Sequence, residues 1–288
     1  MSSVVADQTG VAEVPFGADL AQIRRIAKLF PGPLPVAVNG IRVAASIRPN
    51  KFVIEGGDDS SVTMPRTAFQ VLYPDCTVMI DSGLDQETHD SFSTPDKREP
   101  YYPEAFAKLQ QALNATRMIV LTHFHADHVA GVTRAPNFEA LAAKTFVSVA
   151  TAQCLLNTPH GPHLTMTAEQ VNRFNIFNYG DYFLVAPGIV LIKEAGHSVD
   201  HQMVYIALQS GREFLHSVDV GWVLENIRQI KGKAAPWVKE DVPAVIGQLR
   251  WLNNLHRTEK NVTMLVTHDD ALFTELTKSG TVGGELVL

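Results

Sequence analysis

Three histidines and an aspartate fall within six residues, His123-Phe124-His125-Ala126-Asp127-His128, directly after the apolar run Met118-Ile119-Val120-Leu121. No other stretch constrains the chain as much. The apolar run reads as a short buried strand, so the cluster is placed at a strand end, and small residues including Gly131 follow it. Such a density of imidazole and carboxylate makes a poor core and a poor solvated loop. It makes a good metal site, because neutral imidazole nitrogen and carboxylate oxygen suit zinc and similar divalent ions.

The same arrangement, a ligand-type residue just past an apolar run, recurs three times. His197 follows the run 189–192, Asp219 ends the run 213–218, and His268 ends the run 262–267. Strand ends gathered at one edge of packed sheets would bring all seven residues together. Seven ligands are too many for one tetrahedral ion and suit two ions sharing one carboxylate. The remaining histidines carry less information. His201 reads as a residue that holds a ligand in place or as a packed histidine. His160 and His163 read as parts of a solvated loop, His89 and His256 as surface residues, and His216 receives no role.

The rest of the chain alternates short strand-like runs with a few helical ones. The pattern predicts a loose arm over 1–14 and a helix over 20–30. Strands are predicted at 36–38 and 41–43, turned by Asn39-Gly40 as a hairpin, and at 51–54. A second hairpin is predicted at 68–73 and 76–80 about Pro74-Asp75, leading into Asp81-Ser82-Gly83. Residues 85–105 read as a surface excursion, 105–113 as a helix, 146–149 as a strand and 151–156 as a short helix. A loop at 157–163 and a mobile segment at 164–177 follow. Strands are then predicted at 182–185, 189–192, 203–208 and 213–218, a helix at 242–256 and a strand at 262–267. This amounts to an arm and helix at 1–35 and a single α/β domain at 36–288, with two packed mixed sheets and outer helices.

Composition narrows the function classes. At 45% hydrophobic and 19% charged residues the chain can bury a sizeable core without disulfides. Cys76 and Cys154 are far apart and outside any C-x-x-C pair, so both are expected as free buried thiols. A formal charge of −6 with scattered Lys and Arg argues against a nucleic-acid partner. No apolar run approaches the roughly 20 residues of a membrane span, and residues 1–14 carry no export signal. The expected setting is cytoplasmic, or exported with the leader absent. The expected partner is a small-molecule substrate, and a homodimer stays open.

The pattern H-x-H-x-D-H, followed by a distant His, Asp and His, resembles the metallo-β-lactamase-fold hydrolases. The resemblance runs in order from about Phe69 to His268 and includes Asp81-Ser82-Gly83, similar to that family's Asp-x-Gly turn. It implies a four-layer αβ/βα sandwich of two mixed β-sheets with outer helices, and metals at one edge. It also implies two divalent ions, zinc first among them. His123, His125 and His197 would hold one, Asp127, His128 and His268 the other, and Asp219 would bridge. His125 separates the chain from iron–oxygen reductase relatives, which carry Glu there. Asp127, His128 and Asp219 separate it from true β-lactamases, and the intact second ligand set from one-iron thiol dioxygenases.

Within the family the ligand set looks most like the acyl-homoserine-lactone lactonases and the glyoxalase II group. A water shared by the two ions would be acidified to about neutral and act as nucleophile, with Asp127 orienting it and carrying a proton to the leaving group. The lactonases commonly place a tyrosine three residues past the bridging aspartate, where this chain has Trp222, whose indole donates one hydrogen bond but is no acid. The chain ends about 20 residues after His268, which leaves little room for a glutathione-binding helical region. The expectation is therefore an ester or lactone with an apolar portion held by Trp222 and Phe124, with Phe174, Phe177 and Tyr179 nearby. Thioester hydrolysis of the glyoxalase II type and small phosphodiester hydrolysis are the alternatives.

Overall fold

The structure, a computed structural model, describes residues 5, 6 and 12–288. Two compact units emerge. The first takes in the described residues up to Leu34 with Ile47–Met64 and Gly180–Leu272, and the second takes in Pro35–Ser46, Pro65–Tyr179 and Phe273–Leu288. Most of the expected arm lies outside the described residues. Within it, Val5–Ala6 pairs antiparallel with Ala12–Glu13.

The first unit is built on a five-stranded sheet in the order Val262–Leu265, Glu213–His216, Gln202–Ala207, Ile189–Lys193, Tyr182–Ala186. Its first two strands pair parallel and the rest antiparallel. Period-two alternation turns Val190, Ile192, Met203, Tyr205 and Leu215 to one face. There they pack with Val245, Leu249 and Leu252 of helix Val242–Thr258, residues spaced as one helical stripe. Asp241 caps that helix by accepting from the Ala244 N–H at 3.2 Å. Each such side chain, fully buried, contributes about 1.5–3 kcal/mol. The strands expected here are all present, and two of them stop at His216 and Leu265. Asp219 and His268 therefore lie in turns just past the ladder.

A six-stranded sheet, most of whose residues belong to the second unit, has the order Ala37–Pro49, Ser61–Leu72, Thr77–Ile80, Met118–Val120, Thr145–Ser148, Asn175–Phe177. Ser61–Leu72 and Thr77–Ile80 form the expected antiparallel hairpin, and from Thr77–Ile80 to Asn175–Phe177 neighbouring strands pair parallel. Helix Pro103–Ala115 feeds Met118–Val120 and buries Leu109, Ala112 and Leu113. Proline at its start needs no N–H partner.

Several expectations are corrected. Asn39-Gly40 is no hairpin turn but lies inside the continuous strand Ala37–Pro49. Glycine is needed there for close packing, since a Cβ on it would sit 2.5 Å from the Phe273 ring. The run 51–54 is mostly a helical turn, Asn50–Val53. The helix at 20 stops at Ile26, leaving Leu29 and Phe30 exposed. The excursion at 85–105 contains helix Gln86–Asp90 with His89 buried rather than on the surface. Residues 164–177 form helix Ala168–Val171 and the edge strand Asn175–Phe177, with Leu164, Met166, Val171 and Phe174 in the core. Helices Leu224–Gln229 and Asp270–Lys278 were not expected. Neither cysteine is in a disulfide; Cys154 is buried and Cys76 half-buried. Among the described residues no helix is long and apolar enough to cross a membrane.

Candidate metal centre

In the second unit the ligand-type residues lie where strand Met118–Val120 gives way to helix Ala126–Thr133. His123 and His125 occupy the connection, and Asp127 and His128 the first turn of the helix. That helix is buried along most of its length, so its polar groups need partners. The turn Asp81-Ser82-Gly83 supplies them. Asp81 adopts φ 62°, a left-handed conformation that aspartate tolerates better than most residues. Its carboxylate accepts from the Thr122 N–H at 2.8 Å, the Thr122 hydroxyl at 2.9 Å and His128 Nδ1 at 2.8 Å. Ser82 donates to the His128 carbonyl through both its N–H and its hydroxyl. Gly131 permits this contact, because a Cβ there would sit 1.8 Å from the Ser82 carbonyl oxygen.

The consequence is chemical. A carboxylate only accepts, so His128 Nδ1 carries the proton and Nε2 keeps the lone pair of a metal ligand. The His123 and His128 rings lie 4.0 Å apart, and His123 and His125 4.6 Å. Arg66 donates through Nη1 to Asp127 Oδ2 at 2.9 Å and through Nη2 to the Ser46 hydroxyl at 2.9 Å. Phe124 is half-buried with its ring 4.7 Å from that of His125. His160, expected in a solvated loop, instead packs 4.5 Å from His125, and its Nδ1 accepts from the Ala126 N–H. His163 is half-buried with Nε2 3.4 Å from the Ser91 hydroxyl.

In the first unit His197, Asp219 and His268 come from three separate loops. His268 Nε2 lies 3.1 Å from Asp219 Oδ2, and His197 Nε2 lies 3.6 Å from the same oxygen. All three are buried. Val218, next to Asp219, holds φ 51°, rare for a β-branched residue and costing about 1–3 kcal/mol. His201 holds Asp219 in place, with Nε2 accepting from the Asp219 N–H at 3.0 Å and Nδ1 donating to Glu194 at 2.5 Å. Burial pushes the Glu194 carboxyl above the usual carboxylate range, opposed by the adjoining His201. His216, the last residue of strand Glu213–His216, is buried, and its Nδ1 accepts from the Val218 N–H at 3.3 Å. Trp222 packs edge-on to His268, ring centroids 6.3 Å apart. His256 is half-buried on helix Val242–Thr258.

Asp81, Arg66, Glu240 and Lys233 were not singled out as site residues by sequence reading. Asp81 had a visible signal, a polar turn closing an apolar run. Arg66 lies inside a strand, and Lys233 and Glu240 lie in the segment 231–241, to which the sequence pattern assigns no element. All seven expected ligands belong to groups of His and Asp side chains able to hold metal, and among the described residues these groups number two, which fits two divalent ions. The donor set is one of neutral imidazoles and carboxylates, as borderline divalent ions require.

Residues 63–137 match the family model of the metallo-beta-lactamase superfamily. An N-acyl homoserine lactonase of Bacillus thuringiensis is 25% identical over 150 residues, half of this chain. The chain spans about half the length, 52%, of the curated relatives it matches. A crystal structure of a quorum-quenching N-acyl homoserine lactone lactonase superposes with a TM-score of 0.66 at 16% identity, covering 88% of this chain and 99% of that one. AidC, a dizinc quorum-quenching lactonase, gives 0.60 at 12% identity, covering 83% and 90%. This chain has the metallo-β-lactamase fold, two mixed sheets with helices, and carries that superfamily's sequence signature over residues 63–137.

Proposed function

We infer that this chain is a metal-dependent hydrolase acting as one domain over residues 36–288, and that it opens a lactone or cleaves a carboxylic ester. The observation that carries the reading is a ligand set of five histidines and two aspartates in which His128 has its tautomer held by a buried carboxylate. The N-acyl homoserine lactonases among its relatives support a lactone. His123, His125 and His197 would hold one ion and Asp127, His128 and His268 the other, with Asp219 shared. Ligand type favours zinc for both. When bound, the ions polarise the substrate carbonyl and bring the pKa of a water to about 7.

The chain's own residues supply orientation and proton transfer. Arg66 fixes Asp127 Oδ2, and Oδ1 would carry the proton to the leaving oxygen. Phe124, half-buried against His125, and Trp222, edge-on to His268, would face the apolar part of a small-molecule substrate. Trp222 stands where the similar lactonases commonly have tyrosine, so acyl-homoserine itself is not assigned. The thioester alternative has no residue in its favour here. A phosphodiester draws on Arg66, a cation beside Asp127.

The test is a substrate panel on the purified protein. Lactone or ester turnover that disappears on chelation and in Asp127→Asn is expected. Turnover of bis(p-nitrophenyl) phosphate alone would replace the carboxylic reading with the phosphodiester one.

A further inference from the structure

We propose that a buried ion pair, Lys233 with Glu240, positions the ligands of the first unit. It sets the tautomer of His197 and grips the peptide of Asp219. The proposal rests on the two-ion reading above.

The pair is closed off from solvent, its side chains 0% and 3% exposed, with Lys233 Nζ 2.8 Å from Glu240 Oε2. An ammonium has three protons to place. One goes to Glu240, and the others go to the Asp219 carbonyl at 2.6 Å and the Val220 carbonyl at 3.0 Å. Glu240 Oε2 also lies 3.3 Å from His197 Nδ1. Since the carboxylate only accepts, that nitrogen carries the proton and Nε2 is left with the lone pair. Lys233 Nζ is 3.4 Å from the same Nδ1. With its three protons already placed on oxygens, it is a neighbour of that atom and not its donor.

Asp219 is thereby held at both ends of its own residue. Its N–H is taken by His201, backed by Glu194, and its C=O by Lys233, backed by Glu240. Immediately before these grips the backbone passes through the left-handed Val218. A turn that a valine disfavours is kept by two buried polar pairs, and the Asp219 carboxylate is presented toward His197 and His268. The same Nζ lies 5.7 Å from the Trp222 ring, so Lys233 also touches the residue proposed to meet substrate.

A buried ion pair could instead be structural alone, and the variants separate the two roles. Removing one partner strands a buried charge and endangers folding, whereas removing both with apolar or neutral isosteres is often near neutral for stability. The test variant is therefore the double substitution Lys233→Met with Glu240→Leu, which leaves no acceptor for His197 Nδ1, compared with Glu213→Gln, whose side chain pairs with Arg24 away from these residues. Zinc affinity is read by chelator competition, and histidine tautomers by imidazole 15N NMR of the metal-free full chain.

In the wild type, His197 is expected as the Nδ1–H tautomer. In the double variant that preference is lost. The zinc ion that His197 would hold binds roughly 10–100-fold more weakly, the other, which shares Asp219, is weakened less, and Glu213→Gln behaves as wild type. Native zinc affinity and native tautomer in a folded double variant would overturn the proposal. So would an Nε2–H tautomer of His197 in the wild type, which decides the matter even where the variant does not fold. Wild-type protein that binds no zinc would remove the two-ion reading itself. Zinc bound twice without lactone or ester turnover would remove the proposed substrate and leave this inference standing.

Discussion

The two groups of ligand-type residues are built in opposite ways. In the second unit four of them sit within six residues, and a strand-to-helix junction places them together with little help from distant sequence. One turn, Asp81-Ser82-Gly83, locks the junction through His128. In the first unit three ligands come from loops far apart in sequence, and buried charges hold them, Glu194 with His201 and Glu240 with Lys233. A compact motif can rely on backbone geometry. A dispersed one has to be held by side chains that are themselves costly to bury.

The comparison can be broken or sharpened by substitution. The largest expected effect belongs to the motif. Asp127→Asn should lower kcat/KM by about 10²–10⁴-fold on the panel's best substrate, the range for a general acid–base residue. Next is Gly131→Ala, which drives a Cβ against the Ser82 carbonyl. It should destabilise by about 3 kcal/mol, the upper end for overpacking, measured as a fall in denaturant midpoint. A silent Gly131→Ala would remove the claim that backbone packing holds the motif. In the first unit, His201→Gln should weaken zinc binding roughly 10–100-fold. It should lower melting temperature less than Gly131→Ala does, as expected if side chains rather than backbone build that half.

The smallest effect is a pH slope. Burial, then the Arg66 charge, lowers the pKa of His89 from its ordinary 6.5, against Glu99 and Asp90, which raise it. The unfolded chain then binds the extra proton more readily. This contribution to stability is fully present above pH 6.5 and is lost as pH falls through the window below it. His89→Phe should flatten urea-derived stability across that window relative to wild type.

These contrasts also explain what could be read from sequence. Strands at 182–186, 189–193 and 202–207 were legible because their apolar runs are bounded by turn residues, and His197, Asp219 and His268 stood out by following such runs. Asn39-Gly40 misled because the dipeptide signals a turn only locally, while its glycine is required by a ring 233 positions away, Phe273. The segment 164–177 looked mobile because its buried residues, Leu164, Met166, Val171 and Phe174, follow no single period. Lys233 and Glu240 were invisible because nothing local distinguishes a buried lysine from a solvated one. Only the carbonyls of Asp219 and Val220 give it a function.

Trp222 edge-on to His268 has an optical consequence. The other two tryptophans are engaged elsewhere, Trp237 against Phe52 and Trp251 through its N–H to the Ala18 carbonyl. With both replaced by phenylalanine, the chain would retain a single tryptophan, beside one ligand. Its emission would be quenched when cobalt or copper fills the neighbouring position and spared by zinc. Occupancy could then be followed by light alone, in real time and with no substrate in hand.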